Sequence, residues 1–244
     1  MKKFTNKLVQ AHRGARGLVK FENTNEAFEK AIEVGAESAE LDVRKTKDNI
    51  IIVRHDPDYK GIKICDWNYA DLKNETLKEG FYMPTLDEVA EKFGHRILLD
   101  VEIKEVGYEN EILDILFKHL KPEEFYIRSF YDKAIRNVKK INKNVKAALL
   151  LGTSKARHNI FYKMLELFPL VRLIYTKCDF VSPHYLALRW GFRFRMKLMR
   201  KPIFVWTVND KELMKILFID KKIEGIVTDY PNLALEVLKE NGIR

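Results

Sequence analysis

Apolar and polar positions along this chain alternate between two periods from one end to the other. Short runs rich in apolar and β-branched residues fall at 8–11, 37–43, 97–103, 125–130, 146–151, 178–182, 203–208 and 224–228. Between them, near 24–34, 85–93, 109–119, 132–140, 155–168, 184–199, 210–219 and 231–240, apolar residues recur at helical spacing. Strand-like runs that alternate with amphipathic helices predict βαβ units and a parallel sheet. Eight of each predict an α/β fold, a single (β/α)8 TIM barrel over residues 1–244. The rival is an open doubly wound sheet. That fold usually carries G-x-G-x-x-G after its first strand, whereas His12-Arg13-Gly14-Ala15-Arg16-Gly17 stands here.

Helix starts support the pattern. Asn23-Thr24-Asn25-Glu26 and Pro84-Thr85-Leu86-Asp87-Glu88 offer N-caps with acids in the first turn, and Thr228-Asp229-Tyr230-Pro231 opens the final helix. One interval breaks the alternation. Residues 57–84 are long for a loop and contain Tyr59, Trp67, Tyr69, Phe81 and Tyr82. They read as a small insertion after the second-strand hairpin, lying over one mouth of the barrel. A satellite cluster packed on the outside is the alternative.

Composition changes this picture little. The chain is 46% hydrophobic and 32% charged, and no apolar run approaches bilayer length. The basic start Met1-Lys2-Lys3-Phe4 lacks an apolar h-region, which gives the expectation of a cytoplasmic protein. Cys65 and Cys178 form no CxxC pair and read as free thiols. The net charge of +9 favours phosphate-bearing partners, although the lysines are spread over most helices. Nucleic-acid binding would rest on that charge alone and is not expected.

The candidate chemistry gathers at strand ends. In a strand, Glu40 and Asp42 share a face. Two carboxylates directed into a barrel repel each other and are costly to bury unless a divalent cation joins them, and hard oxygen ligands favour Mg²⁺ or Ca²⁺. Solvated acids at an exposed strand end are the alternative. Further on, Asp48-Asn49 suits a two-residue hairpin loop. That loop would pair Lys47 with Ile50 and set His55 opposite Asp42, on the face of the acids. His12 and Arg13 follow the first strand, at the mouth where barrel enzymes keep their sites, and Arg13 can grip a phosphate. Glu102 and Lys104 share a face at the end of a third run. Glu102 could complete a metal's ligands and Lys104 could neutralise a phosphate oxygen. A structural Glu–Lys pair is the alternative reading.

In these residues the chain resembles the glycerophosphodiester phosphodiesterase family. The matching pieces are His12-Arg13-Gly14, Glu22-Asn23-Thr24, Glu40-Leu41-Asp42-Val43, His55-Asp56, Pro84-Thr85-Leu86, Glu102-Ile103-Lys104, Ser129-Phe130, Trp206-Thr207-Val208-Asn209 and Gly225-Ile226-Val227-Thr228-Asp229. They occur in family order over residues 12 to 229. The resemblance implies a (β/α)8 barrel and metal-dependent hydrolysis of small glycerophosphodiesters to sn-glycerol 3-phosphate and an alcohol. It implies His12 and His55 as the general acid/base pair; of the two assignments, His12 as base and His55 as acid is the favoured one. It implies Glu40, Asp42 and Glu102 as ligands of one divalent cation, Arg13 and Lys104 as phosphate contacts, and Glu22 as a site acid. Two positions depart from the family pattern: Phe21 replaces a proline and Asn49 a hairpin glycine. Both concern backbone shape. A lysophospholipase D acting on acyl-bearing substrates, and a catalytically silent barrel that binds phosphorylated ligands, are the alternative functions.

Trp206 could flank the substrate's glycerol or simply pack in the core. His95, His119, His158 and His184 match no motif and read as surface or packing residues. In 184–199, Arg189, Arg193, Lys197 and Arg200 recur at helical spacing beside Leu186, Trp190, Phe194 and Leu198. An outer barrel helix with a solvated basic face is the favoured reading, and weak contact with an anionic membrane surface is kept open.

Overall fold

The computed structural model describes residues 7–152 and 160–243. His158 and the start of the 155–168 helix candidate lie outside the described residues. Eight parallel strands form the barrel: β1 (Leu8–Ala11), β2 (Ser38–Lys45), β6 (Leu98–Ile103), β7 (Phe125–Ser129), β8 (Lys146–Leu151), β9 (Phe180–Pro183), β10 (Phe204–Val205) and β11 (Gly225–Thr228). Their order around the wall is β10-β11-β1-β2-β6-β7-β8-β9. The ring closes through single parallel bridges, Val181 to Ile203 and His184 to Trp206.

Register explains how the barrel is filled. Glu40 lies beside Asp100, Asp42 beside Glu102, and Glu102 beside Arg128. Because facing alternates along each strand, the even-numbered residues of these strands share the inner face and their odd-numbered neighbours face the helices. The outer face (Val9, Leu41, Val43, Leu99, Val101, Ile127 among others) packs in the main hydrophobic core. The inner face is layered. Tyr126, Ala148, Phe180 and Phe204, with Leu8 and Leu98 against them, make a small apolar cluster of their own. One residue further along the inner face is a buried polar layer. Arg128 pairs with Asp100 and also donates to Gln10 Oε1 at 3.0 Å and Ser182 Oγ at 3.3 Å. Beyond it, at the C-terminal mouth, stand the acids and His12.

The helices that follow the strands are α1 (Asn25–Glu33), α3 (Leu86–Phe93), α4 (Glu109–His119), α5 (Asp132–Ile141), α6 (Ile160–Leu167), α7 (Leu170–Thr176), α8 (Phe192–Leu198), α9 (Lys211–Lys215) and α10 (Pro231–Glu240). Thr24 caps α1 through its hydroxyl, and Thr85 with Glu88 forms a reciprocal capping box on α3. The structure departs from the sequence-based expectation at 184–199. That stretch is not one helix. A 3-10 turn at Tyr185–Ala187 is followed by left-handed Trp190 and Gly191, and only then by α8. Helical α7 lies between the 155–168 helix candidate and the 178–182 strand run, in a stretch assigned to neither.

The hairpin also differs from expectation. β3 (Ile51–Val53) pairs antiparallel with β2, with Val43 opposite Val53 and Lys45 opposite Ile51. The loop therefore has three residues, Lys47-Asp48-Asn49, with Asn49 left-handed at φ 63°. Asn49 N–H donates to Thr46 O and Thr46 N–H to Ile50 O, the arrangement in which a left-handed residue closes a three-residue turn. The extra loop residue shifts the pairing by one, so Arg54, not His55, meets Asp42, its N–H donating to Asp42 O at 2.8 Å.

Residues 57–84 contain a short hairpin, β4 (Asp58–Tyr59) with β5 (Ile62–Lys63), and α2 (Tyr69–Lys78). Tyr59, Ile64, Leu72 and Met83 form a cluster with Ile52 of β3, separate from the main core, and Trp67, Tyr69 and Phe81 pack against it. Phe81 stacks on Phe21 at 4.6 Å between ring centroids.

Candidate active site

His12 leaves the end of β1 facing into the barrel mouth, and its N–H donates to Thr228 O. Its Nδ1 is 2.6 Å from Asp229 Oδ1, and Asp229 is in turn held by Asn209 Nδ2 at 2.7 Å. The next two residues turn the chain sharply. Arg13 and Gly14 both take left-handed backbone, with φ 51° and 72°. For arginine that conformation is strained, and strain of this kind persists only where the surroundings hold it. Here Arg13 N–H donates to Glu40 Oε2 at 2.6 Å and Gly14 N–H to Glu40 O at 3.0 Å. Gly14 has a second reason to be glycine: a Cβ there would stand 2.6 Å from the Ala27 carbonyl carbon. The tight turn directs the Arg13 side chain back over the acids, with Nε 3.5 Å from Asp42 Oδ2 and Nη1 2.7 Å from Glu22 Oε1.

Glu40, Asp42 and Glu102 are buried, and each offers an oxygen within 4.8 Å of the others. Lys104 Nζ reaches Asp42 Oδ1 at 2.8 Å and Glu102 Oε1 at 2.5 Å, and Asn23 Nδ2 donates to Asp42 Oδ2 at 2.9 Å. The charges divide the acids. Burial acts to raise the Asp42 carboxyl, but Lys104, Arg13 and His55 outweigh it and hold the group below its ordinary range. Glu40 goes the other way: burial, then repulsion from Asp42 and Glu102, pushes it up to about 8. Ionising all three carboxylates would exceed the charge of Arg13 and Lys104 by one, which is why Glu40 keeps its proton in the absence of further positive charge. The donor set is all oxygen, buried and converging, which fits a hard divalent cation. With such an ion the balance becomes one positive charge, the complement of a phosphodiester monoanion.

His55 reaches the same place from the arm. The chain leaves β3 after Val53, and Arg44 Nε of β2 fixes the turn by donating to His55 O at 2.8 Å. The ring's Nδ1 lies 2.8 Å from Asp56 Oδ1. Burial and the nearby Lys104 lower its affinity for a proton, while Asp42 and Asp56 act against that.

His12, Arg13, Glu40, His55, Glu102 and Lys104 line a single cavity of about 100 Å³, with Trp206 on the opposite wall. Asp42 supports it from within. Glu22 stands one step back, lining a shallow neighbouring depression while it holds Arg13 and, at 3.2 Å, Arg16 Nε. Trp206 donates its indole N–H to Ser182 O at 2.7 Å and is packed edge-on by Phe130 and His184. From the cavity a wider groove of about 950 Å³ runs past Phe130, Tyr131 and Gly152 to Leu165, Glu166 and Arg172. Of the remaining histidines, His95 pairs with Glu124 and His119 with Asp87.

Sequence reasoning assigned no role to Asp229, Asp56 or Arg128. The signal for the first two was present, since each is itself part of a matching motif and a histidine needs a partner for its second nitrogen. Arg128 carried no such signal, because a lone arginine in an apolar strand shows its purpose only when the register sets it beside Glu102.

The chain matches the glycerophosphoryl diester phosphodiesterase family over residues 12–233. It is 29% identical to a glycerophosphodiester phosphodiesterase of Caldanaerobacter subterraneus, over 96% of this chain and 99% of that protein. The crystal structure of a glycerophosphodiester phosphodiesterase from Thermotoga maritima is similar at 29% identity and TM-score 0.78, covering 95% of this chain and 98% of that one. An Oleispira antarctica phosphodiesterase solved with the product sn-glycerol-3-phosphate shares the fold at 20% identity and TM-score 0.82, covering 96% and 97%. With its motif residues gathered at one barrel mouth and the match running nearly end to end, the chain belongs to the glycerophosphoryl diester phosphodiesterase family and is an enzyme of that class, a phosphoric diester hydrolase.

Proposed function

We propose that the protein hydrolyses small glycerophosphodiesters to sn-glycerol 3-phosphate and an alcohol, with one divalent cation, Mg²⁺ or Ca²⁺, held by Glu40, Asp42 and Glu102. The observation that carries this reading is the convergence of two carboxylate-held histidines, His12 and His55, on one cavity with that acidic triad. When bound, the cation supplies Lewis-acid stabilisation of charge on a non-bridging phosphate oxygen. The residues of the chain do the rest. Arg13 and Lys104 neutralise the phosphate from two sides, an effect strengthened by their burial. Asp229 fixes the His12 proton on Nδ1, leaving Nε2 to take a proton from the attacking oxygen. His55, held by Asp56, returns a proton to the departing alkoxide, each transfer being worth about 10²–10⁴-fold. Glu22 keeps the Arg13 fork in place, and Trp206 and Phe130 wall the glycerol side.

The test is coupled detection of sn-glycerol 3-phosphate release from glycerophosphocholine, with and without EDTA, for the wild type and His12→Ala. Chelation is expected to abolish turnover, and His12→Ala to cut kcat by about 10²–10⁴-fold with an unchanged circular-dichroism melt. Equal turnover in all samples would overturn the reading.

A further inference from the structure

The region beyond β8 and β9 carries an outer surface unlike the rest of the barrel. On α7, Leu170, Val171, Ile174 and Tyr175 face solvent, while Leu173 and Thr176 face inward. On and before α8, Trp190, Phe194 and Leu198 recur at four-residue spacing and are 78%, 66% and 68% exposed, while Phe192 and Met196 are the residues that bury. The apolar stripe of 184–199 is therefore not the face that packs on the barrel, as a solvated outer helix would require. α8 is tied to the turn that leads into α7: Arg195 Nη2 donates to Leu167 O at 2.8 Å, and its guanidinium lies over the Phe168 ring at 4.2 Å from the centroid. Exposed apolar side chains scattered singly are ordinary, but a contiguous face of this kind marks an interaction site.

Charge identifies what covers it. Residues 164–201 contain Arg172, Lys177, Arg189, Arg193, Arg195, Lys197, Arg200 and Lys201 against only Glu166 and Asp179, an excess of six positive charges out of the chain's nine. Neither acid opposes the face. Glu166 is buried against the Gly152 N–H and Arg172, which Asp132 also pairs, and Asp179 is held by Lys139 and Lys146, so the cations of this stretch that stand in solvent are Lys177, Arg189, Arg193, Lys197 and Arg200. Arg189, Arg193, Lys197 and Arg200 run as a stripe beside Trp190, Phe194 and Leu198, so apolar and cationic groups interleave on one exposed surface. That is the pattern of a surface that inserts shallowly among lipid headgroups while its cations meet anionic phosphates. The wide groove from the active site ends at Leu165 and Arg172, at the border of this face.

We infer that the α7–α8 face docks the enzyme on an anionic phospholipid bilayer and opens the active-site groove at the lipid surface. The docking stands independently of the chemistry at His12. The test is co-sedimentation with phosphatidylglycerol-containing and with pure phosphatidylcholine vesicles at low salt. The wild type and His12→Ala are expected to bind the anionic vesicles equally and the neutral ones weakly. Each cation near an anionic surface raises partition about fivefold, so Arg193→Glu with Lys197→Glu should lose about twentyfold or more. Val171→Asp with Phe194→Asp, both at exposed positions, should abolish binding while kcat/KM on soluble glycerophosphocholine stays at the wild-type value. Trp190 fluorescence should shift to the blue with anionic vesicles, and Trp190→Phe should remove that shift. Absence of wild-type binding to anionic vesicles would overturn the inference, as would binding that both double variants retain. A dimer in sedimentation velocity that Val171→Asp with Phe194→Asp dissolves, without vesicle binding, would assign the face to a second copy and overturn it equally.

Discussion

Two sides of the same barrel mouth use charge in opposite ways. On the side of β1, β2 and β6, charged groups are buried and almost every one is answered: Arg13 by Asp42 and Glu22, Lys104 by Asp42 and Glu102, Arg128 by Asp100. On the side of α7 and α8, cations stand in solvent among exposed apolar side chains. The first side is expensive to build, because desolvated charges must be held in place by one another. The second costs the fold little, because it removes little from water. Buried charge here serves geometry, and exposed charge serves location.

The contrast can be broken most strongly at its buried end. Asp100→Asn removes the carboxylate that faces Arg128 and leaves a guanidinium in the barrel interior without its counter-charge. The expected loss is about 3–5 kcal/mol in urea unfolding, and a change within about 0.5 kcal/mol would mean that Gln10 and Ser182 suffice for the arginine. A smaller effect concerns the acids themselves. Burial and repulsion from Asp42 and Glu102 push Glu40 up to about 8, so a cation bound by the proposed triad would have to displace its proton. Cation affinity should fall about tenfold per pH unit below 8, with about one proton released per ion near neutral pH in titration calorimetry. The sign of the stability effect follows. A carboxyl whose folded value lies above its unfolded one favours the fold at low pH, and that favour is lost as pH rises from the ordinary 4.5 toward 8. Affinity flat between pH 6 and 8 would show that Glu40 is already ionised. The smallest effect belongs to the other side. Ile174→Ser should move thermal stability by less than about 0.5 kcal/mol, since the side chain is 66% exposed. A larger loss would place that residue in the fold's packing and weaken the contrast.

The barrel was readable because its strands obey one rule. In Lys146–Leu151 and Leu98–Ile103 the outer residues are apolar enough to mark a buried strand, and the inner acids of β2 and β6 stood out against them. The triad needed only alternation, which register preserves. His55 was harder. Its presence near the acids was legible, but the path was not, because the turn at Lys47-Asp48-Asn49 depends on whether Asn49 takes the left-handed conformation alone. One residue in the loop moved the pairing, and the side chain reaches the cavity by leaving the strand instead of standing across from Asp42. The exposed stripe of α8 was visible as a stripe, but its direction was not. Which face of a short helix turns inward is decided by Phe192 and Met196, and nothing in helical spacing ranks them above Phe194 and Leu198.

The arm that carries His55 has one more property. Its anchor is Arg44, a residue of the barrel wall, whereas residues 57–84 attach to the arm by their own fastenings: Trp67 O accepts from Lys47 N–H, Asp48 accepts from Tyr69 N–H, and Pro84 O accepts from Val53 N–H. The middle of that segment, at Trp67 and Tyr69, and its end, at Pro84, thus return to the same short hairpin. Because Arg44 of the wall holds the His55 carbonyl, a change of length or composition between those fastenings is expected to leave the imidazole's own anchor in place.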